Sequence, residues 1–96
     1  MSTAVMFKFQ LYVAGDAPNS SQAIANLTVF CRTYLVDRHE IEIVDVFKYP
    51  QRALAEGIFM TPTLCKFTPL PLRRIVGTLS QTQILLEALG LEAHAA

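Results

Sequence analysis

The chain has 96 residues, a formal net charge of zero, 52% hydrophobic residues and 17% charged ones. That length makes one domain, residues 1–96, and the apolar content supports a core and excludes disorder. The charge balance excludes a general nucleic-acid binder, which needs surplus Lys and Arg to displace counterions from phosphates. Many apolar residues beside few charges also predict exposed apolar surface, and with it a partner or self-association.

Two cysteines, Cys31 and Cys65, stand far apart in the sequence. A small secreted scaffold carries more of them at closer spacing, so both read as reduced, buried residues of a cytoplasmic protein. The opening Met1–Lys8 lacks a basic region followed by a long apolar run and is not read as a signal peptide. No apolar stretch is long enough to span a bilayer. The glycosylation-like triplets at Asn19 and Asn26 are then chance matches.

Val5 to Ala14 predicts the first strand. Phe7, Phe9, Leu11 and Val13 alternate with Lys8, Gln10 and Tyr12, and Tyr12 makes the second face partly apolar, as in an inner strand. Gly15 to Asn19 is a turn, and Asn19 or Ser20 is the expected N-cap of a helix running to about Val36. Ala23, Ile24, Leu27, Phe30, Cys31, Tyr34 and Leu35 draw one stripe on a 3.6-residue period. Cys31 belongs to that stripe and reads as core. Asp37 to Glu40 is a polar connection, with His39 at the surface and His94 in the tail. Ile41 to Phe47 predicts the second strand, parallel to the first through a right-handed crossover.

Pro50 suits the first turn of a short helix that Gly57 stops. The stretch Phe59–Phe67 is β-rich, and Pro62 must open its strand, because proline cannot donate to a ladder. Thr61 is held out of the helical region by the proline ring. Thr68 to Pro71 is a stiff turn, and Leu72 to Gly77 predicts a fourth strand with Ile75 and Val76 in the core. Ser80 is the expected N-cap of a last helix, Gln81 to Leu89, closed by Gly90.

The order β-α-β-α-β-β-α, with a parallel first pair, a final antiparallel hairpin and a proline opening the third strand, resembles the thioredoxin fold: α/β, with a four-stranded mixed sheet. In that family a Cys-x-x-Cys pair sits at the start of the long helix, where the unpaired amides favour the thiolate. Here the turn reads Asp16-Ala17-Pro18-Asn19-Ser20-Ser21. Cys31 lies roughly 16 Å further along the helix and cannot stand in. Ser20 and Ser21 have no sequence-evident base. No paired carboxylates, Gly-rich phosphate loop or metal cluster stands out, so no catalytic, cofactor or metal residue is assigned. A redox reading through Cys65, beside Pro62, remains as an alternative.

A closer resemblance rests on Leu11-Tyr12-Val13-Ala14-Gly15 with Pro18-Asn19-Ser20, Val44-Asp45-Val46, Pro50-Gln51, Thr61-Pro62-Thr63-Leu64, and Pro71 through Arg73-Arg74-Ile75-Val76-Gly77 with Leu79-Ser80. In register over residues 7–91, these motifs resemble the circadian clock protein family KaiB. That resemblance implies a non-enzymatic, metamorphic protein. One state is a tetramer with residues 50–90 rearranged, and the other is monomeric and thioredoxin-like. It implies binding to a KaiC-like ATPase ring and then to a KaiA-like protein, and a relation to the sensor domain of a histidine kinase. It assigns Pro62, Pro69, Pro71 and Gly77 to the conformational switch. Lys48, Lys66, Arg73 and Arg74 are the candidate partner contacts, and a homo-oligomer, dimer or tetramer, is expected. Family members commonly carry Gly-Asp-Leu-Ser where this chain has Gly77-Thr78-Leu79-Ser80. That departure keeps a second reading open, a paralogue acting as a stress-response adaptor.

Overall fold

The structure is a computed structural model and describes residues 5–91. The expectations for residues 1–4 and for His94 lie outside the described residues. The elements in order are β1 (Phe7–Val13), α1 (Pro18–Tyr34), β2 (His39–Asp45), α2 (Pro50–Ala55), β3 (Thr63–Thr68), β4 (Arg73–Val76) and α3 (Thr82–Ala88). They build one four-stranded sheet in the order β2-β1-β3-β4. The β1–β2 pair is parallel, and β3 runs antiparallel to both β1 and β4. This is the thioredoxin-like arrangement the sequence predicts.

Strand β1 is covered on both faces. Phe7, Phe9, Leu11 and Val13 pack with Ala23, Leu27, Phe30 and Cys31 of α1 and with Leu85 and Leu86 of α3. On the other face Tyr12 packs with Val44, Cys65 and Ala53 of α2. Side chains alternate across a strand, so one sequence period feeds two separate cores. The long stripe of α1 covers most of one face. The short α2 covers only part of the other.

Both expected helix caps are corrected. The N-cap of α1 is Ala17, with Pro18 in the first turn and no side-chain cap. Proline has no N–H to satisfy and its fixed φ suits that position, so the helix starts before Asn19. The Ser20 hydroxyl is buried and accepts a hydrogen bond from the Ala14 amide at 3.0 Å. It ties the end of β1 to the start of α1. The N-cap of α3 is Gln81 rather than Ser80. The Ser80 hydroxyl instead lies 3.4 Å from that of Thr78.

Strand β2 begins at His39, earlier than the sequence suggests, because the parallel register pairs Phe7 with His39. His39 is half-buried, with its Nδ1 2.7 Å from the Leu35 carbonyl, and is not a free surface residue. The strand stops at Asp45, whose carboxylate accepts from the amides of Gly15 (3.2 Å) and Phe47 (2.9 Å). That turn ejects Phe47 from the ladder. Helix α1 ends at Tyr34, short of Val36.

The expectation for Val76 is also corrected. Ile75 packs on the core, but Val76 is 54% exposed. It lies on the α2 side of an edge strand, beyond the reach of a helix of only six residues. The peptide bonds before Pro62, Pro69 and Pro71 are all cis. Leu79 adopts φ +62° although it is not glycine. That backbone costs roughly 1–2 kcal/mol. Burying its side chain among Leu85 and its neighbours returns about 1.5–3 kcal/mol and so holds the conformation.

Replacing Ser20 with alanine leaves the half-buried Ala14 amide without its acceptor. The variant should lose about 1–3 kcal/mol in urea unfolding with an unchanged m-value. A midpoint equal to the parent's shows that the hydroxyl contributes nothing.

Candidate functional site

The start of α1, where thioredoxins hold their thiol pair, carries Asp16, Ala17, Pro18 and Asn19 here. Both cysteines are buried and free. Burial pushes the Cys31 thiol up to about 12. Burial likewise raises Cys65, with Arg74 opposing the rise and Glu56 adding to it. Cys65 points into the core between Tyr12 and Ala53. Reactive cysteines need exposure and a lowered pKa, and these have neither.

The exposed surface has another character. The connection from β2 to β3 presents Phe47, Tyr49, Leu54, Phe59 and Met60 to solvent, and Phe59 is 92% exposed. Sequence reasoning missed these as site residues. Phe47 reads as the end of the second strand, and Phe59 and Met60 as part of the β-rich stretch before Pro62, so by pattern they look like core. A run of large apolar side chains in a connection has no core to serve.

Polar contacts tie this connection to the sheet. Arg52 of α2 donates two hydrogen bonds of 2.8 Å to the Glu42 carboxylate of β2. Gln10 donates to the same carboxylate at 3.1 Å, and the buried Tyr12 hydroxyl donates to Gln10 at 2.6 Å. The Arg52 guanidinium also lies 5.9 Å from the Tyr49 ring centre. At the other end of α2, Arg74 donates to the Glu56 and Gly57 carbonyls and pairs with the Glu56 carboxylate at 3.4 Å. The Gly77 amide donates to the Pro62 carbonyl at 3.0 Å, linking the end of β4 to the entry of β3.

The four candidate contact residues therefore part company. Lys48 and Arg73 are exposed. Arg74 is exposed, but its guanidinium is engaged with the end of α2. Lys66, expected at the surface, is buried at 3% exposure, because it lies on the face of β3 that meets the main core, over the Phe7 ring. It is not a surface contact in this structure. Of the residues assigned to switching, Pro62 is buried, Pro69 half-buried and Pro71 exposed. Gly77 sits at φ +118°, a conformation that favours glycine.

The KaiB domain model matches residues 10–91. The chain belongs to the KaiB family. It is 47% identical over 83 residues to the circadian clock protein KaiB3 of a Synechocystis species, covering 86% of this chain and 79% of that one. It is 40% identical over 91 residues to the circadian clock oscillator protein KaiB of Synechococcus elongatus, covering 95% of this chain and 89% of the relative. Among solved structures, the N-terminal domain of Synechococcus elongatus SasA superposes with a TM-score of 0.75 at 18% identity, over 100% of this chain and 94% of that one. Chloroplastic thioredoxin z gives a TM-score of 0.75 at 18% identity, over 93% and 80%. At such identities the two structures establish the thioredoxin-like fold of this KaiB-family chain. Among the described residues no helix is long and apolar enough to cross a membrane, and no group of His, Cys, Asp and Glu could hold a metal ion.

Two measurements check this electrostatic picture. Iodoacetamide at pH 7.5 should leave both cysteines unlabelled in the folded protein and label both in urea; rapid labelling of Cys65 in the native state contradicts its burial. The Arg52 hydrogen bonds lower the Glu42 pKa. Their stabilisation is thus fully present above about pH 4.3, the ordinary glutamate value, and fades as pH falls through the lowered folded value. Arg52→Gln should reduce the urea midpoint at pH 7, and its difference from the parent should shrink as pH falls below the ordinary glutamate value. A pH-independent difference refutes the pairing as its source.

Proposed function

We propose that this protein is a non-catalytic regulator that binds a KaiC-type ATPase ring through protein–protein contact. The observation that carries the reading is the exposed apolar run Phe47, Tyr49, Leu54, Phe59 and Met60, on a KaiB-family chain whose two thiols are sealed in the core. Exposed aromatic and methionine side chains serve as interface anchors, because burying them against a partner removes large apolar areas from water. Lys48 and Arg73 supply the charged contacts, with Arg74 supporting the surface by fixing α2. Rim charges of this kind steer association and make it depend on salt.

In the same reading, Pro62, Pro69, Pro71 and Gly77 lie in the part of the chain that rearranges in an alternative, tetrameric state. Three features support this. Helix α2 has six residues, too few to persist without tertiary packing. Strand β4 has four residues at an edge. Leu79 holds a backbone conformation that its side chain must offset. A KaiA-like protein and a histidine kinase are further partners in this reading, the protein acts in the cytoplasm, and residues 1–96 form one KaiB-like domain. The adaptor role in stress response is the alternative within the same interaction class; Thr78, at the position where an aspartate is common in the family, favours keeping it.

Mixing the protein with a purified KaiC-type hexamer should give a larger species by gel filtration. Phe59→Ser with Met60→Ser should weaken the complex at least tenfold. Lys48→Glu with Arg73→Glu should slow its formation and flatten its salt dependence. No complex with several such ATPases at high concentration removes the proposal.

A further inference from the structure

The connection from β2 to β3 carries the most exposed sulfur among the described residues. Both thiols are buried. Burial raises their pKa values and so withholds the thiolate that oxidants attack. A thioether has no such gate: it reacts as it stands, and exposure decides which methionine an oxidant meets. Of the described methionines, Met6 is 39% exposed and Met60 62%. Met60 stands beside Phe59, the most exposed of the large apolar residues, and belongs to neither core.

The backbone at Met60 is tied down although its side chain faces solvent. The hydroxyl of the buried Thr63 donates to the Met60 carbonyl at 2.5 Å. The Pro62 carbonyl accepts from the Gly77 amide at 3.0 Å. An oxidant therefore reaches the thioether without opening the fold, and the product disturbs no core packing. A peroxide supplies the chemistry. The sulfur lone pair attacks one oxygen of the O–O bond, that bond breaks and an S–O bond forms. Sulfur is oxidised by two electrons and the peroxide reduced by two. The leaving oxygen takes the proton of the transferred one, which gives water from hydrogen peroxide. A flexible apolar side chain becomes a dipolar one with a strong acceptor oxygen. Against an apolar partner that oxygen loses its water and gains no donor, which is costly.

We propose that Met60 is a modification site, converted to its sulfoxide by peroxides in the folded protein, and that this conversion reversibly releases a partner from the Phe47–Met60 connection. The release, though not the oxidation, rests on the reading of that connection as the partner-binding surface. Methionine sulfoxide reductases restore the thioether with two electrons from a dithiol, and the oxygen leaves as water. A bound partner covers the thioether, so the complex is oxidised more slowly than the free protein.

Dilute hydrogen peroxide with peptide mapping by mass spectrometry gives the oxidation rate at each methionine. In the folded protein Met60 should gain one oxygen faster than Met6, with both cysteines unmodified and the circular dichroism unchanged. Met6 oxidised first, or Met60 oxidised only once urea opens the fold, overturns the site. On a hydrophobic-interaction column the oxidised protein should elute earlier, and the two reductases with dithiothreitol should restore its retention; unchanged retention shows that the sulfoxide leaves the surface as apolar as before and overturns the inference. In gel filtration with the KaiC-type hexamer, oxidation should weaken the complex about tenfold. Met6→Leu should show the same loss, and Met60→Leu, compared with itself before and after peroxide, should show none. An equal loss in Met60→Leu assigns the effect to another residue, and an undiminished parent complex after full oxidation of Met60 refutes the release. If the parent forms no complex before oxidation, the ATPase reading falls and the release with it, while the mapping and the column still decide whether Met60 is the oxidation site.

Discussion

Everything in this fold rests on β1 being buried on both sides. Its odd-numbered side chains close one core with α1 and α3, and Tyr12 closes the other with α2. An inner strand of this kind leaves little choice of register, since a slip by one residue would drive Gln10 and Lys8 into the larger core. Parallel β2 and antiparallel β3 then pair on its two edges. The crossover helix α1 follows from the parallel pair. Position of the surface connection is thus a consequence of the most buried strand.

The two cores differ in how firmly they hold what covers them. The α1 face is sealed by a long apolar stripe, with Ser20 and Asn26 adding hydrogen bonds at its edges. The α2 face has only Ala53 as a buried residue of its helix, so polar contacts complete the attachment. Tyr12, Gln10, Glu42 and Arg52 form a chain from the buried interior to the helix surface. Arg74 fixes the other end. Exposed pairs of this kind contribute little each. Their effect is to fix the orientation of a short helix whose apolar contacts are too few to do so.

Much of the architecture was legible because the periods in the sequence are clean. The alternation in β1 and the stripe of α1 each admit one reading, and Pro62 marks the entry of β3 wherever the rest of the chain lies. The misses have local causes. Asn19 and Ser20 are good caps by residue type, but Pro18 claims the first turn and Ser20 turns inward to the Ala14 amide. Val76 obeys strand alternation, yet nothing covers its face so near the sheet edge. Lys66 was read as surface because lysine usually is. Only the packing of β3 against Phe7 shows where its stem lies. Phe59 and Met60 look like strand residues by type, but Pro62 delays the strand to Thr63 and leaves them outside the sheet.

The comparison with a redox thioredoxin shows where the two surfaces differ. In a thioredoxin the start of the long helix must lower a thiol pKa, and that requires an exposed sulfur at the amides of the first turn. Here Ala17 and Pro18 occupy that turn, and the sulfurs lie where burial raises their pKa instead. The rim carries aromatic and methionine side chains at a connection held by ion pairs. Such a surface offers shape and apolar area rather than a thiol. Charges placed around it then set specificity, and a chain with only 17% charged residues has few to spare. That scarcity makes the position of each cation consequential, and Lys66, on the core face of β3 directly opposite Arg73, is the least expected of those positions.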